Sequence, residues 1–229
     1  MDDLQPDLPP QGGLREHNRT ERRARLREAA RTVFCRRGYQ DATTREIASL
    51  ARVAHATLFR YARDKRELLL MIINDDLDDL AAQRWRAPPK AAGRGLREQI
   101  MELYRPRYEY FARYPLLSRP FVSEAFYFMG VRSSEVGPEA RRNRARRGEV
   151  IAELQRMFEE AGRVPHGATA KECAELVHVI YLTANRIWLE SATLDAGAGL
   201  KTLGQHLRLA ANGFDPPRRP ASRRRRASR

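Results

Sequence analysis

Between Thr43 and Tyr61 the chain groups hydroxyl, imidazole, guanidinium and phenol side chains within two short helical segments joined by a tight break. Thr43 followed three residues later by Glu46 is the pattern of a capping box, which starts a helix by satisfying its first free N–H groups. Ile47, Ala48 and Leu50 give that helix an apolar face, Ala51-Arg52-Val53 forms the turn, and Ala54 to Tyr61 reads as a second helix with Leu58 facing inward. The outward groups are then His55, Ala56, Thr57, Phe59, Arg60 and Tyr61. Ala56 permits close approach of the backbone, and the others supply donors and ring surface that reach base edges or phosphates in a major groove. Two helices joined in this way are the layout that lets the second lie in the groove.

The longer run Phe34, Gly38-Tyr39, Thr43-Thr44-Arg45-Glu46-Ile47-Ala48, Ala51, Val53, Thr57-Leu58-Phe59, Tyr61, Lys65 and Glu67-Leu68-Leu69 resembles the TetR family of bacterial regulators. The resemblance implies a three-helix head that binds DNA as a homodimer, a helical body enclosing a small-molecule pocket, and a dimer interface made by the last two long helices. By position it implies phosphate contacts from Thr44, Thr57 and Lys65, a backbone or base contact from Tyr61, and base contacts from Arg45 and His55. Arginine favours guanine, to whose O6 and N7 it gives a bidentate bond. The chain departs from the family pattern at three positions. Arg52 stands where glycine is usual, and a left-handed conformation there costs about 1 kcal/mol. Phe59 replaces a common tyrosine and lacks its hydroxyl, and Ala62 replaces a larger apolar residue.

The elements that must carry this head follow from helical periodicity. Leu26, Ala29, Ala30, Val33 and Phe34 form one stripe, stopped by Gly38. A long helix over 65–85 turns Leu69, Ile72, Ile73, Leu77 and Leu80 to one side before Pro88-Pro89. Further helices fit 94–113, 116–129 and 139–161, divided by Pro115, Gly137-Pro138 and Gly162 to Gly167. The stretch 169–191 is apolar over more than half its circumference and needs cover on several sides, and 200–214 carries Leu200, Leu203, Leu207, Ala211 and Phe214 on one stripe. No segment has the alternation of a strand. The expected fold is all-α, divided into an irregular arm over 1–18, a head over 19–66, a ligand-binding and dimerisation body over 67–214, and a basic tail over 215–229.

The body is rich in aromatics, and Tyr108, Phe111, Phe126, His178 and Trp188 are the candidates for lining a pocket for an apolar or aromatic effector. The arginine-rich stretch from Arg141 to Arg147 reads as a solvated helix start. Cys35 and Cys173 fall in apolar patterns and are expected to be buried, inert thiols. The histidines form no metal set, and no nucleophile elbow, phosphate loop or paired carboxylates point to catalysis. No metal or cofactor is expected.

The net charge of +14 favours a polyanionic partner, although seven arginines after Asp215 supply half of it. With no long apolar run and an acidic start at Met1-Asp2-Asp3, no membrane association and a cytoplasmic location are expected. These readings converge on a sequence-specific transcriptional regulator without enzymatic activity: a homodimeric repressor on double-stranded DNA, released from a palindromic operator by a small-molecule effector.

Overall fold

The computed structural model describes residues 11–86, 94–130 and 137–212. Its first three helices are α1 (Gln11–Asp41), α2 (Thr44–Leu50) and α3 (His55–Leu58). The body holds α4 (Lys65–Arg86), α5 (Leu96–Arg113), α6 (Pro115–Gly130), α7 (Pro138–Ala161), α8 (Ala170–Leu189) and α9 (Ala196–Asn212). Among the described residues there is no strand.

Helix α1 starts at Gln11, so residues 11–18, expected to be irregular, are helical. Gly12 and Gly13 are weak helix formers, but they fall in the first turn, and the Arg-rich and Glu-containing sequence beyond them has good helix propensity. The far end agrees with expectation: Gly38 leaves the helical region at φ 78°, a conformation glycine enters without a Cβ penalty. The expected stripe of α1, Leu26, Ala29, Ala30, Val33 and Phe34, is at most 5% exposed and packs against α2, α4 and α6.

Helix α4 runs through the centre. Leu68 to Ile73 are each fully buried, which needs neighbours on every side, and α1, α6 and α7 provide them. Helix α8 packs on α7, α9 and α6. Its start is fixed by a complete capping box, in which Glu172 N donates to Thr169 Oγ1 at 3.2 Å and Thr169 N donates to the Glu172 carboxylate at 2.7 Å. Its last carbonyls receive Arg119, whose guanidinium donates to Leu189 O and Ser191 O at 3.1 and 2.8 Å, a cation where the helix dipole is negative. Helix α9 approaches α5 and α8 closely because Gly199 has no side chain: a Cβ there would lie 2.6 Å from the Tyr108 ring and 2.9 Å from Trp188.

Cys35 is exposed, not buried, and Cys173 is half-buried. Cys35 follows Phe34 directly, and on a helix adjacent positions point about 100° apart, so the core takes Phe34 and leaves Cys35 outside. Desolvation and Glu28 raise its thiol pKa against the opposing effect of Arg31, which keeps it a poor nucleophile.

Candidate nucleic-acid interface and effector cavity

The head assembles around α2 and α3. Thr43 Oγ1 accepts from Glu46 N at 3.2 Å, while the Glu46 carboxylate receives Arg37 Nε at 2.7 Å, which ties α2 to the end of α1. The turn brings Val53 N to Ala48 O at 3.0 Å, and Arg52 adopts φ 55°, the left-handed conformation foreseen for that position. The second helix is shorter than the expected Ala54 to Tyr61: α3 is one α-turn, His55–Leu58. Phe59 to Tyr61 continue as tight turns, with Arg60 N on Thr57 O and Tyr61 N on Leu58 O. Arg63-Asp64 and the start of α4 follow at once, and Asp64 Oδ1 accepts from Glu67 N at 2.9 Å. This early cap leaves α3 no room to extend.

The surface of this unit presents Arg45, Ala56, Phe59 and Arg60 as exposed residues, with Thr44, His55, Thr57, Tyr61 and Lys65 half-buried beside them. Thr44 Oγ1 and His55 Nε2 are 3.0 Å apart, so the start of α2 is hydrogen-bonded to the start of α3. His55 also meets Phe59 edge to face at 4.9 Å. Lys65 Nζ donates to Gln40 O at 2.8 Å and sits 4.7 Å from the Tyr39 ring centre; an ammonium has three N–H groups, and two remain for an anion.

Head and body are joined by a partly buried charge network. Arg23 of α1 donates to both oxygens of Asp75 at 2.7 and 3.0 Å and to Glu139 at 2.8 Å. Arg142 of α7 donates to Asp75 at 2.6 Å and also reaches Asp78. Arg146 donates to Asn74 Oδ1 and Asn74 O at 2.7 and 2.8 Å, and to Asp78 at 3.0 Å. Burial pushes the Asp75 carboxyl up, but the hydrogen bonds and charges of Arg23 and Arg142 outweigh it and hold the group below its ordinary value. The α7 N-terminus is capped from α4, where the Glu67 carboxylate accepts Glu139 N and Ala140 N at 3.0 and 3.1 Å. The solvated helix start expected for Arg141 to Arg147 is therefore corrected, since Arg142 and Arg146 point inward and Arg146 is only 8% exposed.

Among helices α4 to α8 lies a partly open cavity of about 90 Å³. Its apolar wall includes Leu77, Phe111, Phe121, Val122 and Val150, and its polar side carries Arg107, Arg144, Arg146 and Arg147 with His178 and Asn185. His178 is 7% exposed and bonded through Nδ1 to Tyr104 OH at 3.0 Å. Burial first, then the charges of Arg107 and Arg147, pull its pKa down to about 4, so the imidazole is neutral at pH 7. Tyr104 stacks on Tyr181 with ring centres 3.9 Å apart. Among the described residues, no group of three or more His, Cys, Asp or Glu could hold a metal ion, and no helix is long and apolar enough to cross a membrane.

Comparison with known proteins bears on the head first. Residues 26–72 match the family model for bacterial regulatory proteins of the tetR family. The head is thus that of a TetR-type regulator. A curated relative, the HTH-type transcriptional activator FasR of Mycolicibacterium smegmatis, is 40% identical over 76 residues, which is 32% of this chain and 35% of that protein's length. Similarity in fold extends over nearly the whole chain. FadR of Thermus thermophilus, a TetR-family repressor solved with lauroyl-CoA, superposes with a TM-score of 0.63 at 24% identity, covering 87% of this chain and 98% of that one. A TetR regulator from Rhodococcus sp. RHA1 gives 0.60 at 17% identity, over 86% and 100%. FadR of Bacillus subtilis, solved with stearoyl-CoA, gives 0.56 at 12% identity, over 80% and 96%.

In the body, the five candidate pocket residues do not converge. Phe111 and His178 line the cavity, whereas Tyr108 and Trp188 do not. Those two rings pack on each other at 4.9 Å, and Trp188 Nε1 donates to Asp195 O at 3.0 Å, so both are spent on seating α9. The side chain of Phe126 lies outside the described residues. The arginines of the cavity were missed, although a signal was present. Stepping back by four from Val150 on the buried stripe of α7 reaches Arg146 and then Arg142, and the acidic run Asp75-Asp76-Leu77-Asp78 on α4 is their complement.

Proposed function

We propose that this protein is a homodimeric, ligand-responsive repressor that binds a palindromic operator through α2 and α3 and releases it when an anionic amphiphile enters the body. The observation that carries the reading is Arg146, which lines the cavity and also holds Asn74 and Asp78 of α4. An anion arriving at the arginine side competes with Asp78 for that guanidinium and shifts α4, whose first turn follows α3 after a link of six residues, Phe59 to Asp64. Operator half-sites lie a fixed number of helical turns apart, so a change in the spacing of the two heads lowers affinity. A preference of a few kcal/mol for the altered state is enough for release.

The effector class is drawn from the lining: an apolar wall for a chain and guanidinium groups for a carboxylate, phosphate or thioester-linked nucleotide. The acyl-CoA ligands of the two FadR proteins have this chemistry. It refines the apolar or aromatic effector expected from the aromatics alone. On this reading Arg45 and His55 read bases, and Thr44, Thr57, Tyr61 and Lys65 meet phosphates. The expected division into head over 19–66 and body over 67–214 assigns these roles to separate parts.

The dimer face is read on α8 and α9. Leu176, Val179, Ile187 and Leu209 are 52–61% exposed, and the three on α8, spaced three and then eight residues apart, fall on one side of the helix. Leu203 and Leu207, expected at the interface, are buried within the protomer. Isothermal titration with medium- and long-chain acyl-CoA and with the corresponding free acids tests the effector class. Wild-type binding that weakens in an Arg147→Gln variant supports the reading; no binding to either class opposes it.

A further inference from the structure

One polar group on the cavity wall has no partner. Asn185 of α8 is 2% exposed and lines the cavity, and its Oδ1 is buried without a hydrogen bond. Two other polar groups of the lining are satisfied: Asn143 donates to Asn74 at 3.3 Å, and His178 is bonded to Tyr104. Tyr108 OH and Arg27 Nε are also buried without partners, but neither residue lines the cavity. Native interiors rarely keep an unsatisfied amide end, because its lost hydration is not repaid, and a leucine of similar volume would avoid the loss. An amide held there is explained by a partner that arrives with the ligand.

Its position says which part of the ligand it meets. His178 and Asn185 are seven residues apart on α8, two helical turns on one face, which is about 10 Å along the axis. The His178 end is cationic, bordered by Arg107 and Arg147. We infer that Asn185 is a specificity-determining contact, hydrogen-bonding a hydroxyl or amide that the effector carries about 10 Å from its anionic end. The inference rests on the amphiphile reading above. A purely hydrocarbon tail leaves Asn185 unsatisfied, so the cavity discriminates against it. The partner is either a hydroxyl on the chain or an amide of a pantetheine arm.

The test is isothermal titration of wild type, Asn185→Leu and Asn185→Val with decanoate, 10-hydroxydecanoate, laurate and lauroyl-CoA, alongside ligand-free melting. For a chain hydroxyl, wild type binds 10-hydroxydecanoate about tenfold tighter than decanoate and the variants erase the difference. For a pantetheine amide, the variants lose about tenfold on lauroyl-CoA and nothing on laurate. In either case at least one variant melts at or above the wild-type midpoint. Unchanged selectivity in the variants overturns the assignment, as does a lowered midpoint in both, which makes Asn185 a packing residue. If no probe binds wild type, the amphiphile reading itself fails and the inference falls with it.

Discussion

Lowering the pH from 7 to 5 should destabilise this protein through His178. The unfolded imidazole titrates at 6.5, and in the folded chain it is pulled down to about 4, so between these values the unfolded state binds the additional proton. The stability contributed by the neutral ring is complete above 6.5 and is lost as pH falls towards 4, below which the loss is constant. Integrating the two titrations between pH 7 and pH 5 gives about 2 kcal/mol, a substantial part of the stability of an ordinary domain. The physical source is a ring 7% exposed, packed by Tyr104 and Tyr181 and faced by the Arg107 and Arg147 cations. The assay is urea unfolding at pH 7, 6 and 5 at one protein concentration, for wild type and His178→Gln. Glutamine can still accept from the Tyr104 hydroxyl but does not titrate. The variant should lose about 2 kcal/mol less than wild type over this interval, and Asp75 does not interfere because its depressed carboxyl titrates below the interval. Identical pH dependence in the two proteins, or an NMR titration of His178 near 6.5, refutes the argument.

Other expectations follow from single positions. Arg52→Gly relieves a left-handed φ of 55° worth about 1 kcal/mol, partly offset by glycine's freedom in the unfolded chain; the thermal midpoint should rise by a few degrees while operator affinity stays unchanged. In competition binding, Thr57→Ala and Lys65→Ala should weaken all DNA sequences about equally, whereas Arg45→Ala should cost about 1–3 kcal/mol at particular base pairs; an unchanged ranking of sequences removes Arg45 as a base reader. Ile187→Arg, at a position 52% exposed in the protomer, should leave the monomer folded but shift sedimentation from dimer to monomer, and a persistent dimer would place the interface elsewhere.

Much of the helical order was legible because proline and glycine punctuate it. The expected 65–85 is observed as Lys65–Arg86, and 139–161 as Pro138–Ala161. The head was readable from the spacing of Thr43 to Tyr61, and the left-handed Arg52 followed from the resemblance, which puts glycine at that position. What escaped were choices made by tertiary contacts. Arg142 and Arg146 look like surface residues until Asp75 and Asp78 of α4 come beside them. Tyr108 and Trp188 are diverted to α9 by Gly199, whose missing side chain is a cavity only once two helices meet. Leu203 and Leu207 form a stripe that serves α5 inside the protomer as readily as a partner outside it. The polar half of the effector cavity, and with it the amphiphilic character proposed for the ligand, followed from these arginines and was not visible in aromatic content.

The central claim is that occupation of the cavity changes DNA binding through α4. The direct measurement is fluorescence anisotropy of a labelled inverted repeat taken from the DNA beside the gene, titrated with protein in the absence and presence of saturating lauroyl-CoA, for wild type and Arg146→Gln. Tight, sequence-selective binding by wild type that weakens at least about tenfold with ligand, and a markedly smaller ligand effect in the variant, is the predicted result. A ligand that binds wild type with measurable affinity yet leaves operator affinity the same would contradict the account.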